Sequence, residues 1–265
     1  MSLSERILIA LENGEWCLQD IAPSFRRRLA NGLQVDPLAK NVSALCMGFY
    51  GKIHLNRILL PNLSSAIDPN QLSVEAKALI EATFAKEYEN SFVCDFESET
   101  KAKLQEALTI VEYTNKSLST MRESNVTGFI RVTSVNFRSA SHPHIFGLIL
   151  LGDGVLAQTA EHLAVSIVHE MAHQELFLVN LLDRLVNEPW DYNQVHAPFQ
   201  GIKRPPIGRL HSLWALYRMV QFQRSTGNVN QKYQNLLRQN IEAFEDQELT
   251  SFAKKLVEIA GRQAS

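Results

Sequence analysis

The chain has 265 residues and a mass of 29.9 kDa, enough for one large domain or two small ones. Hydrophobic residues make up 45% and charged residues 20%, which is typical of a globular protein and not of a disordered one. The formal net charge is -2, which argues against general electrostatic binding to nucleic acid or to acidic membranes. No apolar stretch reaches membrane-spanning length, and three scattered cysteines are typical of reduced thiols, so we expect a cytoplasmic protein.

The first 125 residues have mainly helical patterns. Ile7 and Leu11 have the spacing of one buried helical face, and Gly14 follows as a stop. A second periodic segment predicts a helix near 99–119. We treat residues 1–125 as a helical N-terminal region and give it, as a hypothesis, a role in binding a substrate or leader segment.

The pattern changes in residues 126–265, which we treat as a second region. The predicted elements are strands at 128–137 and 145–151, a helix at 156–186, a proline-rich loop at 189–206 and helices from 208 onwards. Helices therefore precede and follow a small sheet. This order predicts a mainly helical α+β fold and not a regular alternation of strands and helices.

Seven of the eight histidines fall between positions 142 and 211, and two of them belong to an HExxH motif, His169-Glu170-Met171-Ala172-His173. Positions i and i+4 lie on one face of a helix, so the two imidazoles can bind one metal ion. Glu170 is close enough to reach a metal-bound water. The alternative is a solvated helix face, but the flanking residues are apolar, which favours a metal site.

A metal site needs a third protein ligand. The metzincin continuation is excluded because Leu176 and Val179 stand at its glycine and histidine positions. His211 is the preferred ligand, because it lies near the start of a predicted core helix, whereas His196 lies in the proline-rich loop. The carboxylates that follow the motif lie in or beside that loop, at Asp183, Glu188 and Asp191.

Residues 138–222 resemble the family of HExxH-motif peptide-modifying proteins, which occur beside or fused to enzymes that mature ribosomally made peptides. The family pattern is HExxHqxLf, then a stretch ending in SP, then RPxxGxxH and an aromatic-rich helix. Ala197 stands where the family often has Ser. The matching residues are His169, Glu170, His173, Leu176, Phe177, Pro198, Arg204, Pro205, Gly208 and His211.

The resemblance implies a zincin-like active-site helix packed beside a small β-sheet. It also implies an Fe(II)- and 2-oxoglutarate-dependent oxygenase that uses molecular oxygen to hydroxylate the β-carbon of a residue in a precursor peptide. His169, His173 and His211 would hold the iron, and Glu170 would orient a ligand or a water. Three protein ligands on one face leave three positions open for the keto acid and oxygen.

The keto acid needs a cation for its far carboxylate, and the planar fork of arginine suits this role. Arg204 and Arg209 lie close in sequence to His211, and Ser139 and Ser141 are additional candidates for hydrogen bonding to a bound carboxylate. Three further histidines are candidates for peptide binding, with a polar turn as the alternative for the first two: His142, His144 and His196.

Two other functions stay open. The same ligands suffice for a zinc metallopeptidase with Glu170 as general base. A non-catalytic, metal-stabilised module that binds a precursor peptide is the third hypothesis. For hydroxylation and for hydrolysis alike, strand 145–151 is a candidate for aligning an extended peptide by β-augmentation.

Overall fold

The computed structural model describes residues 1–16, 65–66, 78, 80, 84, 93–126, 128–133, 137–187, 194–244 and 248–264. The chain divides into two compact units, Met1–Asp20 with Glu175–Ser265, and Ile21–Gln174. These boundaries differ from the functional division at residue 125, which stays a prediction. The fold is mainly helical with a small mixed sheet, so the predicted α+β class is confirmed. Within the described part of the chain, no helix is both long and apolar enough to span a membrane.

The sheet belongs to unit Ile21–Gln174. Its strands are β1 (Ser65–Ala66), β2 (Val93–Cys94), β3 (Gly128–Val132), β4 (Ser139–Ala140) and β5 (Leu148–Gly152). The order is β1-β3-β5-β4, with β2 also paired to β3. Strands β3 and β5 are parallel, whereas β4 runs antiparallel to β5. Every residue of β5 is buried, which agrees with its continuous apolar sequence.

Two details of the predicted sheet are wrong. The buried strand begins at Leu148 and not at Ile145, because Pro143–Ile145 forms a 3-10 turn and Gly147 adopts a left-handed φ of 94°. The expected pairing of a peptide with this strand is also wrong where β4 covers its edge, at Leu150 and Leu151.

Among the described residues, the helices of this unit include α2 (Ser98–Thr114), α3 (Lys116–Asn125), α4 (Asp153–Leu156) and the first part of α5 (Ala160–Leu182). The single helix predicted near 99–119 is wrong, because two helices occupy this segment and the helical backbone is interrupted at Asn115. The Asn115 side chain accepts hydrogen bonds from the backbone N–H groups of Ser117 and Leu118 and so starts a new helix. The long helix predicted at 156–186 is confirmed, but as the shorter α5.

The other unit contains α1 (Leu3–Glu12), the last turns of α5, β6 (Val195–Ala197), β7 (Ile202–Arg204), α6 (Pro206–Ser225), α7 (Gln231–Ile241) and α8 (Ser251–Ala264). Helix α1 buries Ile7 and Leu11 as predicted. The first part of the loop predicted at 189–206, residues 189–193, lies outside the described residues. The prediction is partly wrong, because β6 and β7 form a hairpin. Pro198 lies in its turn, so the hairpin loses no hydrogen-bond donor to that proline.

Candidate metal site

Helix α5 places the HExxH motif in a largely buried setting within unit Ile21–Gln174. Val168, Met171 and Ala172 are fully buried. The side chain of His169 is 17% exposed, and that of Glu170 is 2% exposed. The apolar residues of the motif therefore anchor the helix in the core, and the alternative of a solvated histidine face is wrong.

The two motif imidazoles lie against each other. The Nε2 atoms of His169 and His173 are 3.0 Å apart, and the two rings are nearly perpendicular, at 89°. Two nitrogens that bind one metal at about 2.1 Å, with an angle of about 90–110° between the bonds, lie about 3.0–3.4 Å apart. The pair therefore fits two adjacent coordination positions of a single ion.

Burial lowers the pKa of His169, and the neighbouring Glu170 carboxylate counters this only in part. The imidazole is therefore neutral at neutral pH. A neutral ring nitrogen has the free lone pair that metal binding requires.

Glu170 is held by the edge of the sheet. Ser139 Oγ donates to Glu170 Oε1 at 2.7 Å, and Ser141 Oγ donates to Glu170 Oε2 at 2.7 Å. Among the described residues, no Lys or Arg forms an ion pair with this carboxylate, whose nearest basic group is His169 Nε2 at 3.9 Å from Oε1. The two hydroxyls that were predicted to bind a keto acid are thus occupied by Glu170, and their keto-acid role stays a prediction.

The geometry of the HExxH motif does not identify a third metal ligand. Across the residues described, no three His, Cys, Asp or Glu side chains are grouped so that they could hold a metal ion. His211 lies in the first turns of α6, in the other unit, where its ring packs on Phe177 with a centroid distance of 4.7 Å. His196, its competitor, is exposed on β6.

The two candidate arginines have different environments. Arg209 is buried and pairs with Glu248 at 2.5 Å, and it also donates to the Ala243 carbonyl. Arg204 is half-buried at the end of β7, and its Nε has no hydrogen-bond partner among the described residues. A Cβ added at Gly208 would lie 3.2 Å from Arg204 Cδ, so the glycine makes room for this side chain. Arg204 is the better candidate for binding an anion.

The remaining candidate histidines stand near the edge strand. His142 directly follows Ser141, and its ring meets Phe84 edge-on at 6.1 Å. His144 lies in the 3-10 turn Pro143–Ile145. Their proposed contacts with a peptide stay predictions.

Sequence reasoning missed the contact between the two serines and Glu170. The available signal was the Ser-x-Ser spacing just before a buried strand, because residues i and i+2 of a strand face the same side. The chain matches no family model and no curated protein.

Proposed function

We propose that this chain is an Fe(II)- and 2-oxoglutarate-dependent hydroxylase, on a zincin-like scaffold, that acts on the β-carbon of a residue in a ribosomally made precursor peptide. The observation that carries the proposal is the pair of imidazoles at metal-binding separation, His169 and His173. The buried Glu170 carboxylate lies beside them and is held by two serine hydroxyls.

The engaged carboxylate fits either chemistry, and the resemblance of residues 138–222 favours the oxygenase. A zinc peptidase uses the glutamate of HExxH to take a proton from the metal-bound water. Each Glu170 oxygen accepts one hydrogen bond from a serine at 2.7 Å and keeps a second lone pair for such a proton. In an oxygenase, the same fixed carboxylate would orient the groups around the metal.

Charge supports a cation at the pair. Glu170 is almost fully buried, and a buried carboxylate without a positive partner is costly. A metal dication on His169 and His173 would supply the missing positive charge. The lowered pKa of His169 favours the same arrangement, because it keeps that ring neutral.

His169 and His173 would occupy two positions on one face of the metal, and His211 is the proposed third ligand. Bound there, Fe(II) would supply the redox chemistry that converts 2-oxoglutarate, oxygen and a C–H bond into succinate, carbon dioxide and a C–OH group. Arg204 would bind the far carboxylate of the keto acid through its planar guanidinium. The precursor-peptide substrate comes from the resemblance of residues 138–222.

The deciding experiment incubates the anaerobically Fe(II)-loaded protein with a precursor peptide encoded nearby, 2-oxoglutarate and oxygen. We expect succinate formation and a peptide that gains one oxygen atom. The His169→Ala, His173→Ala double variant is the control that should lose both. Peptide fragments formed without oxygen in the presence of Zn(II) would instead support the peptidase, and tight peptide binding without any mass change would support the binding module.

A further inference from the structure

The hydroxyls of Ser139 and Ser141 give the Glu170 carboxylate a fixed position. We infer that these serines are positioning residues, which hold the Glu170 carboxylate beside the imidazole pair but outside the coordination shell of the metal. The inference deepens the proposed function and rests on it, because it requires a metal at His169 and His173.

Strand β4 and the residue that follows it bring both serines to the same carboxylate. Ser139 lies in β4 and Ser141 directly follows it, and their hydroxyls donate to the two Glu170 oxygens. The register Ser139↔Leu151 and Ala140↔Leu150 ties this segment to β5, which is buried throughout. Ser139 therefore lies on a strand paired to the buried β5, and Ser141 is the next residue but one along the chain.

The distances show what holds the carboxylate beside the imidazole pair. Each Glu170 oxygen has its own donor at 2.7 Å, and Ser141 Oγ also lies 3.4 Å from the Glu170 backbone carbonyl. Oε1 is 3.9 Å from His169 Nε2, which is too long for a hydrogen bond. Charge-assisted bonds to a fixed strand restrict the torsions of the glutamate side chain.

The proposed reaction requires that the Glu170 carboxylate does not coordinate the iron. A keto acid and oxygen together need three open positions on the iron. A glutamate that turned towards the metal would fill one of them. Removal of both hydroxyls frees Glu170 to do so, and the metal then gains an oxygen ligand at the expense of the co-substrates.

The test uses Co(II) alone, because the visible absorption of Co(II) reports the number and type of its ligands without any turnover. The full chain is compared with the Ser139→Ala, Ser141→Ala double variant, each with and without Glu170→Ala. We expect the serine change to alter the Co(II) spectrum when Glu170 is present and to have no effect in the Glu170→Ala background. Turnover of the peptide should fall about 10- to 100-fold in the double variant.

Two further variants separate positioning from a general loss of structure. Ser139→Thr with Ser141→Thr keeps both hydroxyls and should retain the wild-type spectrum. Ser166→Ala removes a hydroxyl from the same helix as Glu170, one that donates only to the His162 carbonyl in the structure, and should leave spectrum and turnover unchanged. Circular dichroism confirms that each variant is folded.

The outcomes distinguish this inference from the proposed function. Superimposable Co(II) spectra of the wild type and the double serine variant overturn the inference. A serine effect that persists with Glu170→Ala also overturns it, and assigns the hydroxyls to direct ligand binding. A wild type that binds Co(II) and responds through Glu170, but hydroxylates no peptide, leaves the inference standing and overturns the proposed function. A wild type that binds no metal overturns both.

Discussion

Helix α5 carries two buried glutamates that are held by different chemistry. Glu175 is fully buried and forms a two-point ion pair with Arg218, at 2.9 and 2.7 Å, and it also accepts a hydrogen bond from Trp214. Glu170 is equally buried, but its two oxygens accept only from neutral serine hydroxyls. One carboxylate has its compensating cation within the protein, whereas the other has none among the described residues. The difference is what we expect if Glu175 stabilises the fold and if Glu170 stands beside a bound cation, as proposed.

Arg218 makes further contacts besides its ion pair with Glu175. Arg218 donates to the carbonyls of Gly14 and Glu15, and its guanidinium lies 4.2 Å from the ring centroid of Trp16. The pair thereby attaches the segment after helix α1 to helix α6 within one unit. Both oxygens of Glu175 accept from Arg218 in this network.

The largest expected effect is a loss of stability when the ion pair between Glu175 and Arg218 is broken. Glu175→Gln leaves the Arg218 guanidinium buried opposite a neutral amide, and breaking a buried ion pair costs about 3–5 kcal/mol. We expect the free energy of unfolding to fall by about this amount. Urea unfolding followed by the fluorescence of Trp16 and Trp214, which both pack on Arg218, measures it.

The matched change at the other glutamate should be much milder. In Glu170→Gln, one serine hydroxyl can still donate to the amide oxygen, and the other can rotate to accept from the amide NH₂. We expect the free energy of unfolding to change by less than about 1 kcal/mol, while hydroxylation is lost or strongly reduced. Equal destabilisation by the two glutamine variants would remove the distinction between the two carboxylates.

The third prediction concerns pH and His169. The pKa of His169 is lowered in the folded chain, mainly by burial. In the unfolded chain the pKa of a histidine is about 6.5. Below that pH the unfolded chain binds a proton that the folded chain does not, so stability falls as pH falls towards the lowered pKa. Above it, both states are neutral and this contribution is fully present. Metal binding should weaken over the same range, because protons compete for the ring.

The free energy of unfolding, measured against pH for the wild type and for His169→Gln, tests this direction of the pH dependence. The glutamine variant should lose less stability between neutral and mildly acidic pH. His162→Gln is the control, since that ring is exposed on the same helix and contacts the Thr159 hydroxyl. A wild type that becomes more stable as the pH falls would contradict the assignment.

The sequence predicts the helix that carries the two glutamates but not the residues that contact them. The HExxH helix and its buried setting followed from local spacing and apolar flanks. The partners of Glu170 and Glu175 did not, because they stand 31 and 43 residues away, and only the tertiary fold brings them together. Local rules also missed the break at Asn115, where one side chain outweighed the apolar periodicity on both sides.

The smallest expected effect tests Arg204. Gly208→Ala places a methyl group 3.2 Å from Arg204 Cδ and should displace the guanidinium slightly. We expect the KM for 2-oxoglutarate to rise about two- to tenfold, since small misplacements of a binding group already weaken it. Gly261→Ala is the matched control, because nothing lies within 4 Å of its added Cβ in helix α8. That variant should keep the wild-type KM and gain up to about 1 kcal/mol of stability.

We propose that His169, His173 and His211 bind one metal ion together. The most direct test loads the wild type and the three single His→Ala variants with Fe(II) under anaerobic conditions and measures the metal that each retains after gel filtration. The account predicts about one iron per wild-type chain and a marked loss in every variant. Retention by His211→Ala equal to that of the wild type, or no retention by the wild type, would contradict it.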